Sequence, residues 1–164
     1  MLPRILKAFN VYLDGENFIG RAEAVKLPDL NIKAEEFRAA GMDAGVDLDM
    51  GMDKLDVQIT FAEMSPSVIR QLGLLTADRQ IVVRGALQRQ GEAAVGVAVR
   101  MQGGIKTISR DEFKQGEKGS MQVTINCNSY IEEQGGEQLV NIDILNYRRI
   151  IGGVDQLEGM RAVL

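Results

Sequence analysis

The chain has 164 residues, 45% hydrophobic and 26% charged, with a net charge of −4; this balance fits one globular domain over residues 1–164 and excludes a disordered chain. It contains no His and one Cys, which excludes His-based catalytic triads, an internal disulfide and a Cys/His zinc site. No run approaches the ~20 apolar residues of a membrane-spanning helix, and the first ten residues hold no apolar stretch of signal-peptide length. The acidic balance disfavours tight nucleic-acid binding through a basic face. We expect no catalytic residue, no cofactor, no metal and no membrane anchor.

In chain order, period-2 alternation predicts strands over residues 9–13, 21–27, 32–37, 46–52, 55–61, 80–87, 93–102, 121–131 and 139–145. Asp14-Gly15 is a hairpin dipeptide after the first of these. Gly51–Lys54 is where the apolar phase of Val46, Leu48, Met50 and Met52 gives way to that of Leu55, Val57 and Ile59, which calls for a bulge or turn. One short helix is predicted from Ser65 as N-cap through Pro66 to Gly73, with Val68, Ile69 and Leu72 on one face. Gly103-Gly104, Gly116 to Gly119 and Gly135-Gly136 are read as interruptions between the later strands, and a second helix is weakly signalled from Val154 onward. The fold class is therefore all-β, a sandwich or partial barrel of two antiparallel sheets with one short flanking helix.

Two sets of residues stand out as candidate surfaces. The first is an acidic hairpin with apolar residues interleaved: Met42, Asp43, Asp47, Leu48, Asp49, Met50, Met52 and Asp53. A calcium loop fails on spacing, because Met52 stands where the sixth-position glycine belongs and Gln58 where the bidentate acid belongs. A projecting hairpin whose apolar residues need a partner fits better. The second set is the polar parity of two strands, Asp56, Gln58 and Thr60 with Gln122, Thr124, Asn126 and Asn128. Cys127 lies on the apolar side and reads as a small buried hydrophobe. Arg148-Arg149 and the basic residues from Lys114 to Lys118 read as solvated surface. Carboxylate pairs such as Glu35-Glu36 and Glu132-Glu133 point to opposite faces of a strand and cannot share a substrate, so a hydrolase is disfavoured. Eight aromatics and no Trp disfavour a ligand-binding barrel monomer. Long strands with open edges instead favour assembly, and a closed ring removes those edges.

Specific segments carry a family resemblance. Leu-Asp-Gly-Glu-Asn-Phe-Ile-Gly at residues 13–20, the Leu27-Pro28 break, Phe-Arg-Ala-Ala-Gly-Met-Asp-Ala at 37–44, Val-Asp-Leu-Asp-Met-Gly at 46–51 and Gly-Glu-Lys at 116–118 run in order along the chain. Gly-Val-Asp-Gln-Leu-Glu-Gly-Met-Arg at 153–161 is the most distinctive. Together they resemble the major tail tube proteins of contractile-tailed bacteriophages, a likeness shared by the tube subunits of R-type bacteriocins. The resemblance implies a hexameric ring whose inner strands close a β-barrel channel, and rings stacked into a rigid tube in the virion, assembled in the host bacterial cytoplasm. It implies self-association, a tail sheath protein, baseplate or tail-tip and tape-measure proteins as partners, and DNA passing down the lumen without tight binding. On that expectation the first residue set stacks rings and the second lines the lumen. The alternative is a tube without DNA cargo, as in a bacteriocin or a type VI secretion-like system.

Overall fold

The computed structural model describes residues 1–73 and 79–164, and antiparallel strands dominate it. The strands are β1 (Ile5–Leu13), β2 (Glu16–Asn17), β3 (Ala22–Lys26), β4 (Ile32–Phe37), β5 (Val46–Met52), β6 (Leu55–Phe61), β7 (Arg79–Gln88), β8 (Val95–Arg110), β9 (Met121–Gln134), β10 (Glu137–Asp143), β11 (Arg148–Ile151) and β12 (Val154–Asp155). Two short helices, α1 (Pro66–Ile69) and α2 (Glu158–Arg161), complete the described residues. Asp14 and Gly15 both have positive φ, the geometry that a two-residue hairpin turn demands between β1 and β2.

The two expected sheets are hydrogen-bonded into one. A ten-stranded sheet runs in the order β12-β11-β10-β9-β8-β7-β1-β2, and β6 with β3 branches from β9. The reason is strand length. At ~3.3 Å per residue the 16-residue β8 is roughly 50 Å long and can serve two layers. Its first half pairs with β7 and with the second half of β9; its second half pairs with the first half of β9, which pairs in turn with β6. The result is a broad wing and a four-strand wing of order β3-β6-β9-β8.

Gly103 is the corner between the wings. The register of β8 on β9 shifts between Gln102 and Gly103, and a Cβ built on Gly103 would lie 2.0 Å from the carbonyl oxygen of Asn126. Gly103-Gly104 is thus a close backbone approach inside one strand, not the turn its composition suggested. On β9 the buried parity changes at the same corner, from Met121, Val123, Ile125 and Cys127 to Tyr130. Both wings turn their apolar parity into one core: Val11, Ile81, Val83, Val99 and Met101 from the broad wing, and Leu55, Val57, Ile59, Phe61, Val123 and Ile125 from the other.

The remaining differences are local. The strand expected at 139–145 stops at Asp143, because Ile144 to Tyr147 form a turn in which Tyr147 has positive φ. β11 and β12 are too short to register as alternation, and β12 occupies the start of the expected C-terminal helix, leaving α2 a single turn. α1 ends at Ile69, well before Gly73, and the Ser65 hydroxyl meets that of Ser67 at 2.9 Å and makes no cap bond.

Candidate functional site

The first candidate set falls on a separate two-stranded hairpin, β4 with β5. Its register pairs Phe37 with Val46 and Glu35 with Leu48. Phe37, Val46, Leu48 and Met50 therefore share one face, while Ala34, Glu36, Asp47 and Asp49 share the other. Every residue of β4 is exposed, and so is β5 up to Gly51. The expected irregularity is at Gly51, which has a φ of 97° and donates its N–H to Asp49 Oδ1 at 2.9 Å. Past it the parity reverses, so Met52 is half-buried against the core and anchors the hairpin instead of joining the exposed face. Met42 and Asp43 lie in the loop at the tip, where the Met42 sulfur accepts the Ala39 N–H at 3.2 Å. Asp53, at the base, accepts a hydrogen bond from Asn31.

One contact missed by the sequence reading holds this hairpin. Arg149 on β11 is only 5% exposed and donates to Asp49 Oδ2 at 2.6 Å, so it is not solvated surface. Asp49 is held below the usual carboxylate range, first by the Gly51 N–H and then by Arg149. The carboxylates do not converge: Asp49 turns to Arg149 and Asp53 to Asn31. A groove of about 520 Å³ lies under the hairpin base, against Ile142, Tyr147, Leu157 and Met160.

Six of the seven residues in the second set meet on one face of the four-strand wing. Asp56 lies opposite Asn126, Gln58 opposite Thr124, and Thr60 opposite Gln122. Asn126 donates to Asp56 at 2.9 Å and Gln122 to Gln58 at 3.3 Å. Asn128 is beyond the end of β6, at the corner between the wings, where its carbonyl accepts the Ile144 N–H. The face extends further than expected. Thr107 and Ser109 of β8 lie opposite Thr124 and Gln122, and Lys26 of β3 lies opposite Gln58.

The face is also less acidic than expected. Lys106, the extra residue of a bulge in β8, sits 2.8 Å from Asp56. Burial raises the Asp56 carboxyl, but the bonds from Lys106 and Asn126 outweigh it, and the net shift is downward. The missed signal was the continuation of β8 past Gly103-Gly104, which brings Lys106, Thr107 and Ser109 into the sheet. Behind this face Cys127 is buried and its thiol is pushed up to about 12, chiefly by burial and then by Asp56.

Among the described residues neither surface brings together a nucleophile, base and cleft. The phage tail tube protein FII family matches over residues 3–164. The tail tube protein of Escherichia phage P2 is 36% identical, covering 98% of this chain and 96% of its own. The major tail tube protein of Serratia phage KSP20 is 28% identical, covering 89% and 86%. Among solved structures, the fold resembles the sheath/tube terminator of the extracellular contractile injection system PVC in its extended state, with a TM-score of 0.62 over 81% of this chain and 98% of that one at 11% identity. The tube-terminating cap of the anti-feeding prophage gives a TM-score of 0.62 over 81% and 92% at 13% identity.

Proposed function

We propose that this chain, which belongs to the phage tail tube protein FII family and is a structural tail tube subunit, not an enzyme, closes with five copies of itself into a ring and that such rings stack into a DNA-conducting tube. The observation that carries this reading is the four-strand wing, which has a polar face and two open edges. Among the described residues β3 pairs only with β6. On the far side of β8, a single bridge from Leu72 to Ile105 leaves Thr107 to Arg110 without a strand partner among the described residues. An edge of this kind is a template for pairing with another chain. Because β3, β6, β9 and β8 alternate in direction, β3 of one copy meets β8 of the next antiparallel, and the alternation continues around a ring.

Six wings give a barrel of about 24 strands. At ~4.8 Å between strands its backbone is roughly 40 Å across, and strand tilt widens it further. That width admits a DNA duplex. The core-facing parity of the wing is occupied, so its other face, Asp56 to Thr60 and Gln122 to Asn126, becomes the lumen wall. Such a wall, whose lysines Lys106 and Lys26 are few and partly paired, offers little net attraction to phosphate. The broad wing then faces outward toward the sheath, the hairpin reaches the adjacent ring, and tail-tip and tape-measure proteins meet the ends and interior of the tube. The tube is part of the virion and assembles in the host cytoplasm before contraction drives it through the envelope.

Light scattering and negative-stain microscopy of the purified full chain test this. We expect particles of six-subunit mass, and tubes as concentration rises. A monomer at every concentration overturns the reading.

A further inference from the structure

The hairpin and a second apolar exposure stand at opposite ends of the four-strand wing. The hairpin leaves the wing where β3 ends at Lys26 and β6 begins at Leu55. At the other end Ala22 is paired with Phe61, Phe61 with Met121, and Met121 with Arg110. There the turn before β3 presents Ile19, 67% exposed, and the loop from β8 to β9 presents Phe113, 80% exposed. An ion pair between Lys118 and Glu23 ties that loop to β3. Ile19 is held on a firm base. Its N–H bonds the Asn17 side chain at 2.9 Å, the neighbouring Phe18 is buried against Phe61 with ring centroids 5.0 Å apart, and the Arg21 guanidinium covers the Phe18 ring at 4.4 Å.

We propose that in stacked rings the hairpin of one subunit seats its Phe37, Val46, Leu48 and Met50 face against Ile19 and Phe113 of a second copy in the next ring. This rests on the ring reading above, in which the wing strands run along the tube and their two ends become the two faces of a ring. Each end then holds one half of a single interface, an apolar hairpin face and a pre-positioned apolar pair. Such an interface is heterologous, so it does not close on itself and generates an open filament in which every ring points the same way. Charge leaves the choice to apolar contact. Glu35, Glu36, Asp43, Asp47 and Asp49 outnumber Lys33 and Arg38 on the hairpin, whereas the receiving loop balances Arg110, Lys114 and Lys118 against Asp111, Glu112 and Glu117. Phe113, at the centre of that balanced loop, and Ile19 beside it therefore set the affinity.

The test uses full-length chains carrying Leu48→Cys and Phe113→Cys, assembled under reducing conditions and then oxidised. A disulfide forms only if the two Cα atoms come within about 7 Å, and the buried Cys127, with its thiol pushed up to about 12, stays silent. We expect a non-reducing gel to show a ladder extending past six subunits, because each subunit gives one hairpin and receives another along the tube. Products that stop at six place the contact within a ring and overturn the proposal; intact tubes without cross-links overturn it as well. The pair Leu48→Cys with Leu145→Cys, at the hairpin's own end, should give no ladder, and a ladder there assigns the seat to the wrong end. If the double variant forms rings but no tubes, the two single variants are doped together into unaltered chains and oxidised instead: dimers joining the Leu48→Cys chain to the Phe113→Cys chain support the seat, and their absence from tubes overturns it. Unaltered chains that form neither rings nor tubes defeat the ring reading itself, a distinguishable result.

Discussion

At the scale of single residues, Gly103 shows how one position joins the two wings. A methyl group there would meet the Asn126 carbonyl at 2.0 Å and the Cys127 Cα at 2.9 Å, and both are backbone atoms of the adjoining strand. Neither can step aside as a flexible side chain would, so β8 and β9 must separate at the corner that serves both layers. Gly103→Ala should therefore destabilise the subunit by about 1–3 kcal/mol, the usual range for overpacking. Gly96 on the same strand has nothing within 4 Å of the added methyl, and Gly96→Ala should be neutral or slightly stabilising because it restricts the unfolded chain. Urea midpoints of both variants at one fixed protein concentration check the contrast. Equal midpoints would remove the corner role from Gly103. The same residue marks a limit of reading from sequence: two adjacent glycines look the same whether the chain needs a turn or a close approach, and only the partner strand distinguishes them.

At the scale of elements, the hairpin is the piece least able to stand alone. Two strands exposed on both faces are marginal in water; among the described residues, Met52, the side-chain and backbone bonds between Asn31 and Asp53 and the Asp49–Arg149 pair hold them to the subunit. Leu48 and Met50 are about half exposed, so each still has roughly 1 kcal/mol to gain by full burial. Repeated around a ring of about six, two such residues contribute on the order of 10 kcal/mol to each ring–ring contact. The double substitution Leu48→Ser with Met50→Ser should thus abolish tube growth, while the circular dichroism and thermal midpoint of the subunit stay unchanged. Normal polymerisation of that variant would exclude the hairpin from stacking. This element was legible in the sequence because its acids alternate with apolar residues, and the parity change at Gly51 was legible too. Its attachment was not. Arg149 lies on a four-residue strand, too short to show period-2 burial, so a buried guanidinium looked like an ordinary surface charge. The four-strand wing was half legible: Leu55–Phe61 and the start of β9 alternate without a break, but nothing in their pattern states that they are neighbours or that β8 continues beside them.

At the scale of the whole molecule, one polar face repeated around a ring would decide how the tube treats its cargo. Gln58, Thr60, Gln122 and Thr124 occupy a single patch across two paired strands, and one of the lysines on this face is partly neutralised, since Lys106 sits on Asp56. One lysine substitution in a subunit becomes about six in each ring and the same number again in every ring above it. Each phosphate neutralised by a wall lysine releases condensed counterions, so the added adhesion varies with the logarithm of salt concentration at close to one unit of slope per contact. Weak individual attractions then sum over the length of DNA inside the tube. Lysine placed in turn at Gln58, Thr60, Gln122 and Thr124 should leave tubes of normal length, because none of these side chains reaches the core or the open edges. DNA release from particles carrying them should slow, and the delay should be greater at ~10 mM salt, where the screening length is about 30 Å, than at ~150 mM, where it is about 8 Å. Lysine on the opposite parity, at Ile59 or Val123, should prevent folding, since both side chains are fully buried. Release kinetics measured by dye uptake into ejected DNA at the two salt concentrations check the prediction. Unchanged rates in all four variants, with tubes intact, would mean that this face does not meet the DNA, and the lumen would have to be sought on another surface of the wing.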